Sequence, residues 1–248
     1  MPPSTNPGPA PDAAATDAPT ARDAPPARDA LPAYDPARVG AVVFDLGNVL
    51  VDLDNTRYGR GWPLDLVVEP DRADFARWAE ETDVFRAYDT GRLDTDAFLA
   101  RLAQRTGFAE RRLVDYWNEI LAGIDPQRYA TLARLARRFP LYILSNTSPL
   151  HIAWVERHVD EAGEPDWTDR YFRGVVYSYE AGALKPEPAI YAVAERLAAE
   201  RSGHGPADLL FVDDTPVNVE AACARGWQAE YLRPGRPVEE LLAPLLAE

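Results

Sequence analysis

VGAVVFDLGNVLVD, residues 39–52, is the stretch on which the fold turns. Its first six residues form a short, β-branched, apolar run that stops at Asp45, the pattern of a strand buried on both faces of a parallel sheet. Similar runs follow: LYIL (141–144) ending at Ser145, the weaker YFRGVVYS (171–178) around Val175, LLFV (209–212) ending at Asp213, and QAEYL (228–232) near Tyr231. Helical periodicity over 126–139, 149–159, 187–200 and 216–225 separates them. Strands alternating with helices predict an α/β fold built on a doubly wound, mostly parallel sheet.

One interval breaks the alternation. Residues 55–124 carry helix-period segments, DRADFARWAEETDVF, TDAFLARLAQRTG and RRLVDYWNEILAG, with no convincing strand. They predict a small helical cap inserted after the first strand, with the core formed by 39–54 and 125–248. Trp62, Trp78, Phe98 and Trp117 in the cap read as packing residues, because aromatic side chains at helical spacing usually face a core. Residues 1–38, mostly Pro, Ala, Asp, Thr and Arg, have little to bury and are expected to be disordered.

The bulk properties narrow the function. With 248 residues the chain has room for one large α/β domain or for a core plus an accessory domain. A formal net charge of -14 repels polyanions and argues against nucleic acid or an anionic membrane as partner. No apolar run approaches the ~20 residues that span a bilayer, and no export signal is seen. The single cysteine, Cys223, allows no intrachain disulfide and fits a reducing compartment, so cytoplasm is expected. Oligomeric state is not readable.

Polar residues beyond the carboxyl ends of parallel strands are the candidates for chemistry, since open sheets bind ligands there. Four segments supply them: Asp45 in FDLGNVLVD, Ser145 and Asn146 in LSNTS, Lys185 in AGALKPEP, and Asp213 with Asp214 in FVDDTPVN. Two adjacent carboxylates repel unless a cation joins them, which favours metal binding at 213 and 214. Ser145 has a competing reading as a helix N-cap, and Lys185 as a solvated loop residue. Asn218 steadies or caps the loop that follows. His151, His158 and His204 show no ligand spacing and are expected at the surface.

The order and types of these residues resemble the four motifs of the haloacid dehalogenase-like hydrolase superfamily, subfamily I with a helical cap, from about Val39 to the C-terminus. The resemblance implies a Rossmann-like core and a magnesium-dependent phosphatase acting on a small phosphorylated metabolite. It makes Asp45 the nucleophile that forms an aspartyl-phosphate, with Lys185 as its catalytic partner. Magnesium ligands would be Asp45, the Gly47 carbonyl and Asp214, with Asp213 in an outer position or acting through water. Phosphate would be held by Ser145, the Asn146 amide, Lys185 and the backbone N–H groups after Asp45, those of Leu46 and Gly47. Counter-charge is needed because a carboxylate attacking a phosphate dianion meets repulsion of roughly 4 kcal/mol per charge pair at ~4 Å.

The pattern departs from the family at Gly47. Most phosphatases of the superfamily place a second aspartate there, which protonates the leaving oxygen and then activates water. The DLGNVLVD form resembles a bacterial branch that includes α-D-glucose-1-phosphate phosphatases, which share the glycine, and this points toward a sugar phosphate. Three alternatives stand beside the phosphatase. A haloacid dehalogenase would use the same nucleophile on carbon without metal, and the Asp213–Asp214 pair weighs against it. A non-catalytic phosphate- or metal-binding protein is motivated by Gly47. A receiver-type phosphoacceptor would place its acidic pair first in sequence rather than last.

Overall fold

The computed structural model describes residues 34–68 and 71–247. Its strands are β1 (Ala41–Phe44), β2 (Asp52–Leu53), β3 (Leu121–Gly123), β4 (Leu141–Ser145), β5 (Gly174–Tyr177), β6 (Leu209–Asp213) and β7 (Gln228–Tyr231). The cap helices are α1 (Asn55–Gly59), α2 (Arg72–Thr82), α3 (Val84–Asp89), α4 (Thr95–Thr106) and α5 (Glu110–Asn118). The core adds α6 (Pro126–Leu135), α7 (Pro149–Glu161), α8 (Trp167–Tyr171), α9 (Ser178–Ala181), α10 (Pro188–Ser202), α11 (Pro216–Ala224) and α12 (Val238–Leu246).

The five-stranded sheet runs in the order β5-β4-β1-β6-β7, and every neighbouring pair is parallel. The two-residue side-chain period of a strand explains why the runs are continuously apolar. Val42 and Phe44 of β1, Leu141 and Ile143 of β4, and Leu210 and Val212 of β6 face a core layer completed by α6, α7 and α12. Ala41 and Val43, Tyr142 and Leu144, and Leu209 and Phe211 face the opposite layer, closed by α10 and α11. Both faces are therefore covered, as the doubly wound expectation requires.

The chain moves from β1 outward through β4 to β5, then returns to the other side of β1 as β6 and β7. The carboxyl ends of β1, β4 and β6 consequently meet at the topological switch point, where such sheets open a crevice.

The cap has its own core of Phe75, Val84, Tyr88, Phe98, Leu102 and Trp117, so the aromatic residues read as packing do pack. Tyr88 stacks on Phe98 with ring centroids 3.9 Å apart. Between cap and core lies a feature the sequence reading omitted, the short antiparallel pair of β2 and β3. At two and three residues these strands are too short to show alternation. The packed chain also begins earlier than the expected boundary at Val39. The Tyr34 N–H donates to Glu230 Oε1 at 2.9 Å and its hydroxyl to the Leu241 carbonyl at 3.0 Å, tying residues 34–38 to β7 and α12. The expected disorder of 1–33 lies outside the described residues.

Candidate active site

Asp45 follows β1 directly, and its N–H donates to the Val212 carbonyl of β6 at 2.9 Å, so the sheet itself fixes the position of this carboxylate. The next residues turn tightly: the Leu50 and Val51 N–H groups donate to the Leu46 carbonyl at 2.9 and 2.8 Å, and Asn48 adopts a left-handed φ of 55°. Asparagine tolerates that conformation better than most residues. It turns the Asn48 amide toward Asp214, where Nδ2 donates to Oδ2 at 2.8 Å.

Lys185 is buried, contrary to its reading as a solvated loop residue. Its Nζ lies 2.7 Å from Asp45 Oδ1 and 2.7 Å from Asp213 Oδ2, so one ammonium joins the ends of β1 and β6. Asp213 is wholly buried, and its oxygens also accept from the Thr215 N–H at 2.7 Å and from Asn218 Nδ2 at 3.1 Å. Asp214 is partly exposed and turns into the cleft beside Asn48. The adjacent carboxylates thus have different explanations. Asp213 is satisfied by protein donors, whereas among the described residues Asp214 holds only Asn48 and a 3.3 Å contact from the Thr215 hydroxyl.

Oxygens of Asp45, Asp213 and Asp214 all lie within 4.8 Å of one another. Burial pushes the Asp45 carboxyl up to about 7, with Lys185 opposing and Asp213 and Asp214 adding to the rise. Burial pushes Asp214 up as well, against the Asn48 hydrogen bond and with the Asp213 charge. For Lys185, burial alone would lower the pKa, but Asp213 and Asp45 outweigh it and hold the ammonium above its ordinary value. Three carboxylates against one ammonium leave two negative charges for an incoming cation to balance.

Asp45 Oδ1 accepts from Lys185 and from the Leu46 N–H at 2.7 Å, while among the described residues Oδ2 has no donor. The Leu46 N–H assigned to phosphate is thus engaged by Asp45. Both ends of the Asn146 amide are engaged too: Nδ2 donates to the Lys185 carbonyl at 3.0 Å, and Oδ1 accepts from the Lys185 N–H at 2.7 Å. Asn146 therefore positions the lysine loop. Ser145 is the last residue of β4 rather than a helix cap, since Ser148 occupies the N-cap of α7. Among the described residues, the Ser145 hydroxyl has only a 3.5 Å contact to the Asn146 carbonyl.

Two neighbouring cavities cover these groups. A cleft of about 360 Å³ is lined by Asp45, Lys185, Asp214 and Asn218. A chamber of about 220 Å³ shares Gly47, Leu53 and Asn146 with it and extends to Ser145, Trp62, Trp117, His151 and Asp89. His151 is not at the surface. Its ring stacks against Trp62 and Trp117 at 6.0 and 5.5 Å, with Nε2 3.0 Å from the Trp117 carbonyl, and burial pulls its pKa down to about 4. A signal for this was present, because His151 precedes buried Val155 and Val159 at helical spacing on α7. Asp89 was also missed, and nothing in its local sequence marks it.

Arg57, Arg60 and Arg92 line neither cavity. Arg57 pairs with Asp65 and Glu119, and Arg92 pairs with Asp83, none of which lines the chamber. Asp52 pairs with Arg128 at 2.6 Å, and Asp54 accepts from the Thr56 N–H at 3.0 Å in the turn into α1.

A family model described as haloacid dehalogenase-like hydrolase matches residues 39–224. D-ribitol-5-phosphate phosphatase of Bacteroides thetaiotaomicron is 26% identical over 193 residues, covering 75% of this chain and 88% of that protein. Enolase-phosphatase E1 of Streptomyces avermitilis is 25% identical over 219 residues, covering 80% and 90%. Among solved structures, a magnesium complex of a HAD-family enzyme from Bacteroides thetaiotaomicron aligns with a TM-score of 0.68 at 25% identity, covering 82% of this chain and 98% of that one. A predicted HAD-like hydrolase from Porphyromonas gingivalis aligns at 0.70 with 24% identity, over 85% and 99%. Among the described residues, no helix is long and apolar enough to cross a membrane.

Proposed function

The chain belongs to the haloacid dehalogenase-like hydrolases, and from that premise we propose that it is a magnesium-dependent phosphoric monoester hydrolase acting on a small phosphorylated metabolite. The observation that carries this reading is the Asp45–Lys185–Asp213 ion-pair chain at the strand ends, with Asp214 facing it. The phosphatase relatives support the reaction class, and the ribitol phosphate relative favours a sugar or polyol phosphate. The sole cysteine is in keeping with a cytoplasmic enzyme.

The donor set suits magnesium, which prefers hard oxygen ligands and few of them from protein. Asp45, Asp214 and the Gly47 carbonyl would hold it, and Asp213, with its oxygens committed to Lys185, Thr215 and Asn218, would act from outside. When bound, the ion supplies positive charge against the phosphoryl oxygens and counters repulsion between substrate and carboxylate.

The protein groups do the rest. Asp45 Oδ2 attacks phosphorus, forming the aspartyl-phosphate as the ester oxygen departs. Lys185 opposes the rise that burial gives Asp45, orients it through Oδ1 and presents its charge to the transferring phosphoryl group. The Ser145 hydroxyl and the Gly47 N–H border the phosphate position, while Asn146 fixes the Lys185 main chain.

The test is phosphate release from a panel of sugar phosphates, polyol phosphates and nucleotides, with magnesium and with chelator. Magnesium-dependent release from a sugar or polyol phosphate is expected. No release from any member, or chloride release from 2-chloropropionate, contradicts the reading.

A further inference from the structure

Gly47 leaves the reaction without the carboxyl group that would protonate the leaving oxygen. The vacancy is filled by packing, because a Cβ at Gly47 would stand 2.9 Å from Leu53 Cδ1. Any replacement must therefore reach the leaving group from the neighbouring chamber, whose other polar side chains are Ser145, Asn146, Thr147 and His151.

Among the described residues, Asp89 is the single carboxylate lining that chamber. Among the described residues nothing hydrogen-bonds or ion-pairs with its side chain. It is the last residue of α3, where the helix carbonyls oppose an anion. An unpaired, partly buried carboxyl in such a place costs stability, which points to a use other than folding.

Its position is fixed by the core rather than by the cap alone. The Leu150 N–H of α7 donates to the Tyr88 hydroxyl at 3.2 Å, and Arg86 pairs with Glu187 at 2.8 Å. Two residues past Asp89, Gly91 has a φ of 69° and lies against the Tyr179 carbonyl of α9, where a Cβ would come within 2.0 Å. Only glycine suits that approach.

We infer that Asp89 is the general acid and base of this enzyme, delivered from the cap in place of the aspartate missing at position 47. The inference rests on the phosphatase reading. In the first half-reaction Asp45 Oδ2 bonds to phosphorus, the phosphorus–ester oxygen bond breaks, and the Asp89 proton passes to the departing oxygen to give a free alcohol. In the second, the Asp89 carboxylate takes a proton from water, the water oxygen bonds to phosphorus, and the bond to Asp45 breaks. Inorganic phosphate leaves, with Asp45 free and Asp89 protonated again.

Burial alone pushes Asp89 up to about 7, the range in which one group can both give and take a proton near neutral pH. The other ionisable groups around α3 stay out of that range: burial holds His151 of α7 near 4, and holds Tyr88 and Tyr179 of α9 above their ordinary value. Glu180 and the Arg86–Glu187 pair do not line the chamber.

The full chain with magnesium, and its Asp89→Asn variant, are compared on p-nitrophenyl phosphate and on the alkyl phosphate the parent turns over fastest. The nitrophenolate ion leaves unaided, so the variant should release a stoichiometric burst and then stall with phosphate on Asp45, visible as added mass after acid quench. On the alkyl phosphate, kcat should fall by ~10²–10⁴, and the alkaline limb of the parent's pH profile should vanish. Asp89→Glu should recover part of kcat with a displaced limb, which separates proton transfer from a structural role. A raised KM with unchanged kcat, or equal losses on both substrates without a burst, overturns the inference and leaves the phosphatase reading standing. A parent that releases no phosphate overturns both.

Discussion

Lys185 Nζ sits 2.7 Å from Asp213 Oδ2, both groups fully enclosed, so the third and fourth chemical segments of the chain are tied together by a buried ion pair before any ligand arrives. Burying such a pair is costly, and removing one member strands the other in a low-dielectric site. The adjacent carboxylates 213 and 214 therefore answer to different constraints.

Asp213→Asn should destabilise the metal-free protein by ~3 kcal/mol, the lower end of the usual cost because Asp45 still faces the lysine. Asp214→Asn should change metal-free stability little or raise it slightly, since it relieves repulsion. Urea unfolding in chelator measures both. Equal stability of the two variants contradicts the division of roles.

Magnesium should raise the melting temperature of the parent and fail to do so in Asp214→Asn. In Asp213→Asn the rise should persist at higher magnesium, because outer partners typically cost 10 to 100-fold in affinity. Thermal melting across a magnesium titration reads this, and identical titrations for parent and Asp214→Asn place the ion elsewhere.

Gly47→Asp should not restore a conventional acid. Its side chain would enter the space of Leu53 Cδ1, so the variant should lose about 1–3 kcal/mol from overpacking with no gain in kcat. Gly47→Asp with Leu53→Ala should recover part of that stability. Denaturant melts and steady-state rates on the same preparations check it, and a faster, undiminished single variant contradicts it.

Stability should also report on Asp89. Its carboxyl is raised in the folded state from 3.8 to about 7. Between these values the folded protein holds a proton that the unfolded chain releases, so the Asp89 contribution is present at low pH and is lost as pH rises toward about 7. Asp45, also raised, adds a loss of the same sign, whereas His151, lowered to about 4, acts oppositely between its unfolded value and that point. The clean measurement is therefore the difference between metal-free parent and Asp89→Asn, which should grow in favour of the variant from about pH 4 to about pH 7. A flat difference contradicts the buried, unpartnered state of Asp89.

Much of this site was readable from residues alone. Strands ending at Asp45, Ser145 and Asp213 could be located because a strand covered on both faces must be continuously apolar, and the first polar residue then marks its end. The helices between residues 55 and 118 were legible through their period. Side-chain partners were not. The Asn146 amide read as a phosphate ligand, yet both its ends bind the Lys185 main chain, a pairing set by how two loops meet. Lys185 was read through the family resemblance as the partner of Asp45, and its Nζ does lie 2.7 Å from Asp45 Oδ1, but the residues alone left a solvated loop open, because burial of a charge depends on partners distant in sequence. His151 lay on the buried stripe of α7 and was passed over for want of ligand spacing. Asp89 needed the chamber itself to be seen.

The central claim is that Asp45 Oδ2 becomes covalently phosphorylated, and intact-mass measurement after rapid acid quench tests it most directly. With magnesium and substrate in excess, the parent should show a fraction of chains heavier by one phosphoryl group, with the added mass mapping to the peptide containing Asp45. Asp45→Asn, nearly isosteric and a poor nucleophile, should show none and should release no phosphate. A phosphorylated Asp45→Asn chain, or more than a few per cent of parental turnover in that variant, would contradict the account.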